Sequence, residues 1–487
     1  SEKDTQYAGA YVKDPVVGKH DWVVSFDLNS LYPHLIMQYN ISPETKINTG
    51  DDRFGIGVNN ILKVQSEMYW KPCYEKLDKF KSMGYSVAAN GTCYTKKNQG
   101  FLPALMEKLY VERKLYKKKM IDCQKRQQAG ESGLENEIAK YNNFQQVRKI
   151  QLNSAYGAIG NEWFRYYDVE MAEAITLSGQ LSIRWIANKL NEFLNKHVGT
   201  EDYDYVVASD TDSVYLRLGN LVDRFIPTGS DDEKITDFLD KASEKIIKPF
   251  IDKMYKELAS LMNAYDNKMV MDREVIAKTG VWTAKKRYML SVHDSEGIRY
   301  SEPKLKIMGI ETTRSSTPQV VRNKLKKMIS IILTGTQEDL ISSVTSFKND
   351  FMSLDPEDVS FPRGVSNIKK YRDNSQIYAK GTPIAVKGAL IYNHYLTKLG
   401  LKRKYRQIVE GDKIKFVYLK TPNPMAGSYG KDHVLSFPNG IPKEFGLKKY
   451  IDYDKQFKTS FLDPLTTILN AVGWDYERKA SLDTFFG

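Results

Sequence analysis

Phe26-Asp27-Leu28-Asn29-Ser30-Leu31-Tyr32-Pro33 and Ser209-Asp210-Thr211-Asp212-Ser213 are the two stretches whose reading decides the fold of this 487-residue chain. Each grows out of a short β-rich run, Trp22-Val23-Val24-Ser25 before the first and Tyr205-Val206-Val207-Ala208 before the second. The acids are therefore expected at strand ends or turns, not on helices. Carboxylates held that way can share divalent cations, and Asp27 and Asp212 are the expected metal ligands. Phosphoryl transfer by two metals needs hard oxygens that keep the ions roughly 3.5–4 Å apart, and substrate phosphates can supply the remaining ligands. Taken alone, Asp210-Thr211-Asp212 is ordinary turn chemistry. Paired with Ser30-Leu31-Tyr32-Pro33 it carries more weight.

Between the two acidic stretches lies a basic segment. Leu, Glu, Lys and Arg dominate from Pro103 to about Gln128, Ala129-Gly130-Glu131-Ser132-Gly133 interrupts them, and a second helical stretch runs from about Leu134 to Ala155. That pattern predicts a long antiparallel helical hairpin. Lys149, Asn153 and Tyr156 fall at i, i+4 and i+7 and share one helix face, and Arg113 and Lys117 repeat the i, i+4 spacing on the first arm. Cations from both arms could grip a triphosphate, Arg as a planar fork and Lys as a point charge. The plain alternative is exposed helix charge, with Tyr156-Gly157 a packing aromatic and a terminal glycine. Further on, Lys285-Lys286-Arg287-Tyr288 reads as strand. Alternation would send Lys286 and Tyr288 to one face and Lys285 and Arg287 to the other, so that one pair reaches a nucleic-acid backbone.

Composition sets the outer bounds. The length suggests about three domains of roughly 150 residues, and the 41% hydrophobic content is ample for folded cores. The formal net charge is +12 and uneven: residues 361–420 hold fourteen Lys/Arg against Asp373, Glu410 and Asp412. Tyrosines interleave with this excess, and Lys402, Arg403, Lys404 and Arg406 form its densest cluster, so a nucleic acid is the expected partner. Cys73, Cys93 and Cys123 form no Cys-x-x-Cys pair, which argues against a zinc site or a disulfide framework and suits a reducing compartment. No apolar run approaches the roughly 18 residues that span a bilayer, and the start is unlike a signal peptide, so no membrane association is expected. Residues 1–100 read as strands and loops, 161–316 as mixed α/β, and the region after Ser315 as mostly helical.

These strings, in this order, resemble the motifs of the family B DNA polymerases: Asp27-x-x-Ser30-Leu31-Tyr32-Pro33, Lys149-x-x-x-Asn153-Ser154-x-Tyr156-Gly157, Asp210-Thr211-Asp212-Ser213 and Lys285-Lys286-Arg287-Tyr288. Trp163-Phe164-Arg165-Tyr166-Tyr167-Asp168, Met271-Asp272-Arg273-Glu274 and Pro303-Lys304-Leu305-Lys306-Ile307-Met308-Gly309 are similar to the replicative enzymes of T-even-type bacteriophages. The resemblance implies an α+β right-hand fold: a mixed α/β palm over 1–100 and 161–316, helical-hairpin fingers over 101–160, and a mainly helical thumb over 317–487 ending in a clamp-binding tail. It implies template-directed DNA synthesis in an infected bacterial cytoplasm, with primer-template DNA and dNTP as substrates and two Mg²⁺ ions, Mn²⁺ being able to substitute.

The resemblance also assigns roles. Asp27, Asp210 and Asp212 would be the catalytic acids, with the Leu28 carbonyl and Glu274 assisting at the metals. The main chain of Ser30, Leu31 and Tyr32 would line the triphosphate, the Tyr32 ring would exclude a 2′-hydroxyl, and Arg113, Lys117, Lys149 and Asn153 would hold phosphates or close the fingers. Tyr156 and Gly157 would inspect the nascent base pair, Lys285–Tyr288 would contact DNA, and Leu482, Phe485 and Phe486 would bind a sliding clamp. Ala208-Ser209 stands where the family usually has Tyr-Gly, and Asn29 and His34 also depart from the phage pattern. Only 26 residues precede Asp27. The chain is therefore expected to lack a proofreading exonuclease and to match the C-terminal half of a split enzyme completed by an exonuclease-bearing chain, or a truncated form. A binding-only subunit would have no need of a metal pair facing a triphosphate grip, and an RNA-synthesising enzyme would conflict with Tyr32 as a sugar gate.

Overall fold

The computed structural model describes residues 9–63, 71–425 and 433–479 and places both acidic stretches on one sheet. Strand β1 (Gly18–Leu28) is buried over most of its length. Residues 22–26 are buried on both faces, Ser25 included, which suits an interior strand. Helix α1 (Leu31–Tyr39) follows directly, then α2 (Phe101–Gln128), α3 (Glu135–Ile159) and α4 (Val169–Val198). Strands β2 (Val206–Asp210), β3 (Ser213–Arg217), β4 (Met271–Ala284), β5 (Arg287–Ser295) and β6 (Ile298–Met308) complete a six-stranded sheet in the order β2-β3-β1-β4-β5-β6. β3 runs antiparallel to both its neighbours. With its mixture of helices and antiparallel sheet, the chain is an α+β protein.

Helical order does not wait until residue 101. α1, Val58–Leu62 and Lys71–Ser82 are helices inside the segment read as strands and loops. Eight of the nine residues of α1 are buried, so it has no polar stripe and its sequence shows no amphipathic period. The hairpin of α2 and α3 matches its expected limits closely. Arg148 ties its arms, donating from Nε to Glu112 Oε2 at 3.0 Å while its guanidinium lies 4.7 Å from the Tyr116 ring centre. At the base, Leu102, Met106, Leu152 and Ile159 join the core that contains Phe26, Leu31 and Leu35. That anchoring carries α3 past Tyr156-Gly157 to Ile159, so Gly157 lies within the helix and Gly160 ends it.

Contact patterns divide the chain into two compact units, one built mainly from Asp21–Lys278 and His293–Ser301, the other mainly from Thr279–Val292 and Glu302–Gly487. In the first, α4 is capped by Asp168, whose side chain accepts the N–H groups of Glu170 and Met171, and ends at Gly199. The second holds helices Gln319–Thr334, Gln337–Phe351 and Asp463–Val472 around one core. A second core joins helix Ile384–Lys398 to a three-stranded sheet of Phe361–Gly364, Lys413–Tyr418 and Val434–Phe437. That sheet interrupts the mostly helical region expected after Ser315. Lys413 and Lys415 alternate with the buried Ile414 and Phe416 along its central strand, and the basic composition there masked the strand period.

Candidate active site

The turn between β2 and β3 brings the two acidic stretches together. Asp27 pairs with Ser213 across β1 and β3, Asp210 pairs with the same Ser213 across the hairpin, and Leu28 N–H donates to the Asp212 carbonyl at 2.7 Å. The backbone of Asp212 is thus bonded to the residue that follows Asp27. Thr211 holds φ +48°, a left-handed conformation that a β-branched residue rarely adopts. It is kept there by its N–H to the Tyr11 carbonyl and its hydroxyl to Asp210 Oδ1, both at 3.0 Å. Ala208 and Ser209, the departures from the family pattern, are buried within β2 and leave this turn intact.

β4 adds further acids. Asn29 bonds to it and to the residue before it, through Nδ2 to Asp272 Oδ2 at 3.0 Å and through its N–H to the Val270 carbonyl at 3.1 Å. Lys248 Nζ sits 2.5 Å from Asp272 Oδ1. Burial disfavours the charged form of Asp272, but the hydrogen bonds from Lys248 and Asn29 outweigh it and hold the carboxyl below its ordinary range. Glu274 shares that face of the strand by alternation, and its carbonyl accepts the Glu296 N–H at 2.7 Å. In the sequence Asp272 stands out only as part of the Met271-Asp272-Arg273-Glu274 string. Its anchoring by Asn29 depends on pairing between distant segments and left no local signal.

Among the described residues, no three His, Cys, Asp or Glu side chains gather into a ready-made metal cage. The donors at the turn are the Asp27 and Asp212 carboxylates and nearby main-chain carbonyls. That hard, sparse oxygen set fits Mg²⁺, which keeps much of its shell for water and phosphate and rarely takes an all-protein cage.

Past Asp27 the chain turns sharply into α1. Ser30 has φ +39° and caps the helix without a side-chain bond. The first N–H groups of α1, at Leu31 and Tyr32, lie at the open end of the helix, as those of anion-binding helix ends do. His34 fixes this entry. Its Nδ1 lies 2.8 Å from the Ser30 carbonyl and its ring meets Tyr110 edge-on at 4.4 Å. Burial lowers its pKa, the Ser30 carbonyl opposes that, and Lys268 and Lys114 add to the lowering. The ring is therefore neutral near pH 7 and donates a single proton to Ser30. The Tyr32 ring lies 4.7 Å from that of Tyr156, tilted by 51°.

Lys117, Lys149 and Asn153 are exposed on the hairpin, and their side chains make no hydrogen bond or ion pair with a described residue. Arg113 is half-buried, its Nε out of water and without an acceptor. The Lys285–Tyr288 string does not alternate as expected. β4 ends at Ala284, Lys286 takes φ +60°, and Lys285-Lys286 form an exposed hairpin turn. A Cβ on Gly309 would lie 2.4 Å from the Lys286 carbonyl, so this turn requires glycine there. Arg287 pairs with Glu311 at 2.9 Å and Tyr288 stacks on Trp282 at 5.2 Å, while Lys285 and Lys286 are exposed. In the 402–406 cluster, Lys404 meets Glu444 at 2.5 Å and Arg406 meets Asp412 at 2.6 Å, whereas Lys402 and Arg403 are exposed and form no such pair among the described residues. Leu482, Phe485 and Phe486 lie outside the described residues.

The chain is thus an α+β protein that carries acids at paired strand ends and a cationic helical hairpin in one compact unit. The sequence profile of DNA polymerase family B matches residues 1–471. The chain belongs to that family. It is 34% identical to the DNA-directed DNA polymerase of Enterobacteria phage T4 and 33% identical to that of Escherichia phage RB69, in each case over 99% of this chain and 57% of the relative. It is also 26% identical to a DNA polymerase of Thermococcus sp. (strain 9oN-7) over 78% of this chain. The chain thus spans little more than half the length of the phage relatives it matches.

Proposed function

We propose that this chain carries the DNA-synthesising part of a phage replicative polymerase, adding dNMP to a primer 3′-hydroxyl and releasing pyrophosphate. The observation that carries the reading is the Leu28 to Asp212 hydrogen bond with the Asp27 to Ser213 pairing, which brings the backbones of the two acidic residues together at strand ends. In this reading residues 1–100 and 161–316 are the palm, 101–160 the fingers and 317–487 the thumb. Asp27, Asp212 and the Leu28 carbonyl would hold two Mg²⁺, with Asp210 and Glu274 beside them; bound there, such ions acidify the primer hydroxyl and neutralise the leaving pyrophosphate.

The chain's own groups do the rest. The N–H groups at the start of α1 receive triphosphate oxygens, and Asn29 anchors that turn to Asp272. Lys149, Lys117, Arg113 and Asn153 grip the phosphates as the hairpin closes, so that in-line geometry comes from positioning more than from acid–base chemistry. Tyr32 bounds the sugar, while Tyr156 and Gly157 contact the new base pair. Lys285, Lys286, Lys402 and Arg403 contact backbone phosphates. The chain acts inside an infected bacterial cell, with a sliding clamp bound at Leu482, Phe485 and Phe486 as a further partner. Among the described residues no helix is long and apolar enough to cross a membrane.

Primer extension on a primed template, first with dNTP and then with rNTP, tests the reading. Template-dependent extension with dNTP and little with rNTP is expected. DNA binding with no extension in Mg²⁺ or Mn²⁺ would leave a binding subunit, and efficient rNTP use would point to an RNA-synthesising enzyme.

A further inference from the structure

Gly179 occupies the interior of α4, a 30-residue helix. Glycine in such a place costs about 1 kcal/mol relative to alanine, so the position calls for a reason. A Cβ built there would lie 3.3 Å from Cε1 of Tyr32, tighter than ordinary van der Waals contact. The next neighbours, Leu31 Cδ2 and Leu35 Cδ1, would both sit at 3.5 Å, in ordinary contact. The edge of the Tyr32 ring is therefore the one atom group that the missing methyl makes room for. The same ring touches Tyr156 of α3 at 4.7 Å between centroids. Tyr32 is the single residue of α1 that is not buried, while Gly179 is buried beneath it.

We propose that Gly179 is a positioning residue that sets how far the Tyr32 ring stands off α4, and through it the room left for the sugar of the incoming nucleotide. The bare Cα lets the ring edge rest on the helix surface, with Tyr156 as its second contact. A methyl group there moves the ring by a few tenths of an ångström without touching any charged group of the site. The inference rests on Tyr32 bounding the sugar, and its test separates the two claims.

The experiment is a double-mutant cycle of Gly179→Ala and Tyr32→Ala, read by single-turnover incorporation of dNTP and rNTP and by thermal melting. With Tyr32 present, Gly179→Ala should raise the KM for dNTP about tenfold, a smaller loss than a full ångström of misplacement brings, with a lesser change in kcat. In the Tyr32→Ala background the same substitution should leave KM unchanged. Melting should show a reversal of sign: the extra methyl lowers Tm when the ring is present and raises it when the ring is gone, because alanine is then simply the better helix former. Folding of Gly179→Ala only in the Tyr32→Ala background would support the inference equally. Equal effects in both backgrounds, no effect in either, or failure to fold in both would overturn it. If Tyr32→Ala itself leaves the dNTP/rNTP preference unchanged, the sugar-gate reading falls and this inference with it; if Tyr32→Ala relaxes the preference while Gly179→Ala acts additively, the inference alone falls.

Discussion

Lys117 and Lys149 on the α2–α3 hairpin and Lys404 and Arg406 on the loop after Ile384–Lys398 look alike in the sequence, each set lying in a lysine- and arginine-rich stretch. In the structure they part company. On the hairpin, Arg148 pairs with Glu112 and Arg126 with Glu131, which shape the hairpin itself, while Lys117 and Lys149 form no ion pair among the described residues. On the loop, Lys404 and Arg406 are taken by Glu444 and Asp412. Positive density along a chain therefore overstates the charge available to a polyanion, and only cations without an acidic neighbour count toward ligand affinity.

The largest effect that would sharpen this contrast is at Lys149. A charge-assisted hydrogen bond is worth about 1.5–3 kcal/mol, so Lys149→Ala should raise the KM for dNTP by about 10- to 150-fold with DNA affinity little changed. Pre-steady-state incorporation at varied dNTP checks this, and an unchanged KM would reduce Lys149 to ordinary surface charge. At the loop the expected effect is smaller and lopsided. Replacing Lys402 and Arg403 with Ala should lower the slope of log affinity against log salt by up to about two, because each phosphate contact contributes about 0.9. The matching Lys404 and Arg406 double variant should barely move it, and salt titrations in which the two pairs weigh equally would break the comparison.

The smallest effect concerns the neutralised side. The Lys404 hydrogen bond, helped by Glu444's own N–H and by the Tyr405 hydroxyl, pulls the Glu444 carboxyl down from 4.5 to about 2. Because the folded-state pKa is depressed, whatever stability the pair contributes is present above about pH 4.5 and is lost as pH falls toward 2. The pair is exposed, so that contribution is slight. Titration of Glu444 by NMR should show its pKa returning toward the ordinary carboxylate range in Lys404→Ala, and no change would deny the pairing.

Features with local causes were legible in the sequence. The hairpin could be bounded because Pro103 and the Ala129–Gly133 stretch are strong punctuation, and the acids fell at strand ends because valine-rich runs precede them. Where tertiary contacts decided, the sequence was mute or misleading. α1 is buried on nearly every side and shows no period. Gly157 resembles a helix terminator, yet burial of Ile159 in the core draws α3 onward. Lys285–Tyr288 reads as strand, but the close approach of Gly309 accompanies a hairpin turn at Lys286, with Arg287 and Tyr288 committed to internal contacts. Gly179 offered one faint signal, a glycine inside a long helix; that its neighbour would be Tyr32 depends on two segments more than a hundred residues apart.

The central claim is that Asp27 and Asp212 form a metal-binding pair for nucleotidyl transfer, and single-turnover primer extension by Asp27→Ala and Asp212→Ala, with primer-template affinity measured alongside, tests it most directly. Each variant should lose incorporation by several orders of magnitude while binding DNA about as tightly as the parent, since affinity is spread over phosphate contacts elsewhere. Extension by either variant at a rate close to the parent's would contradict the account.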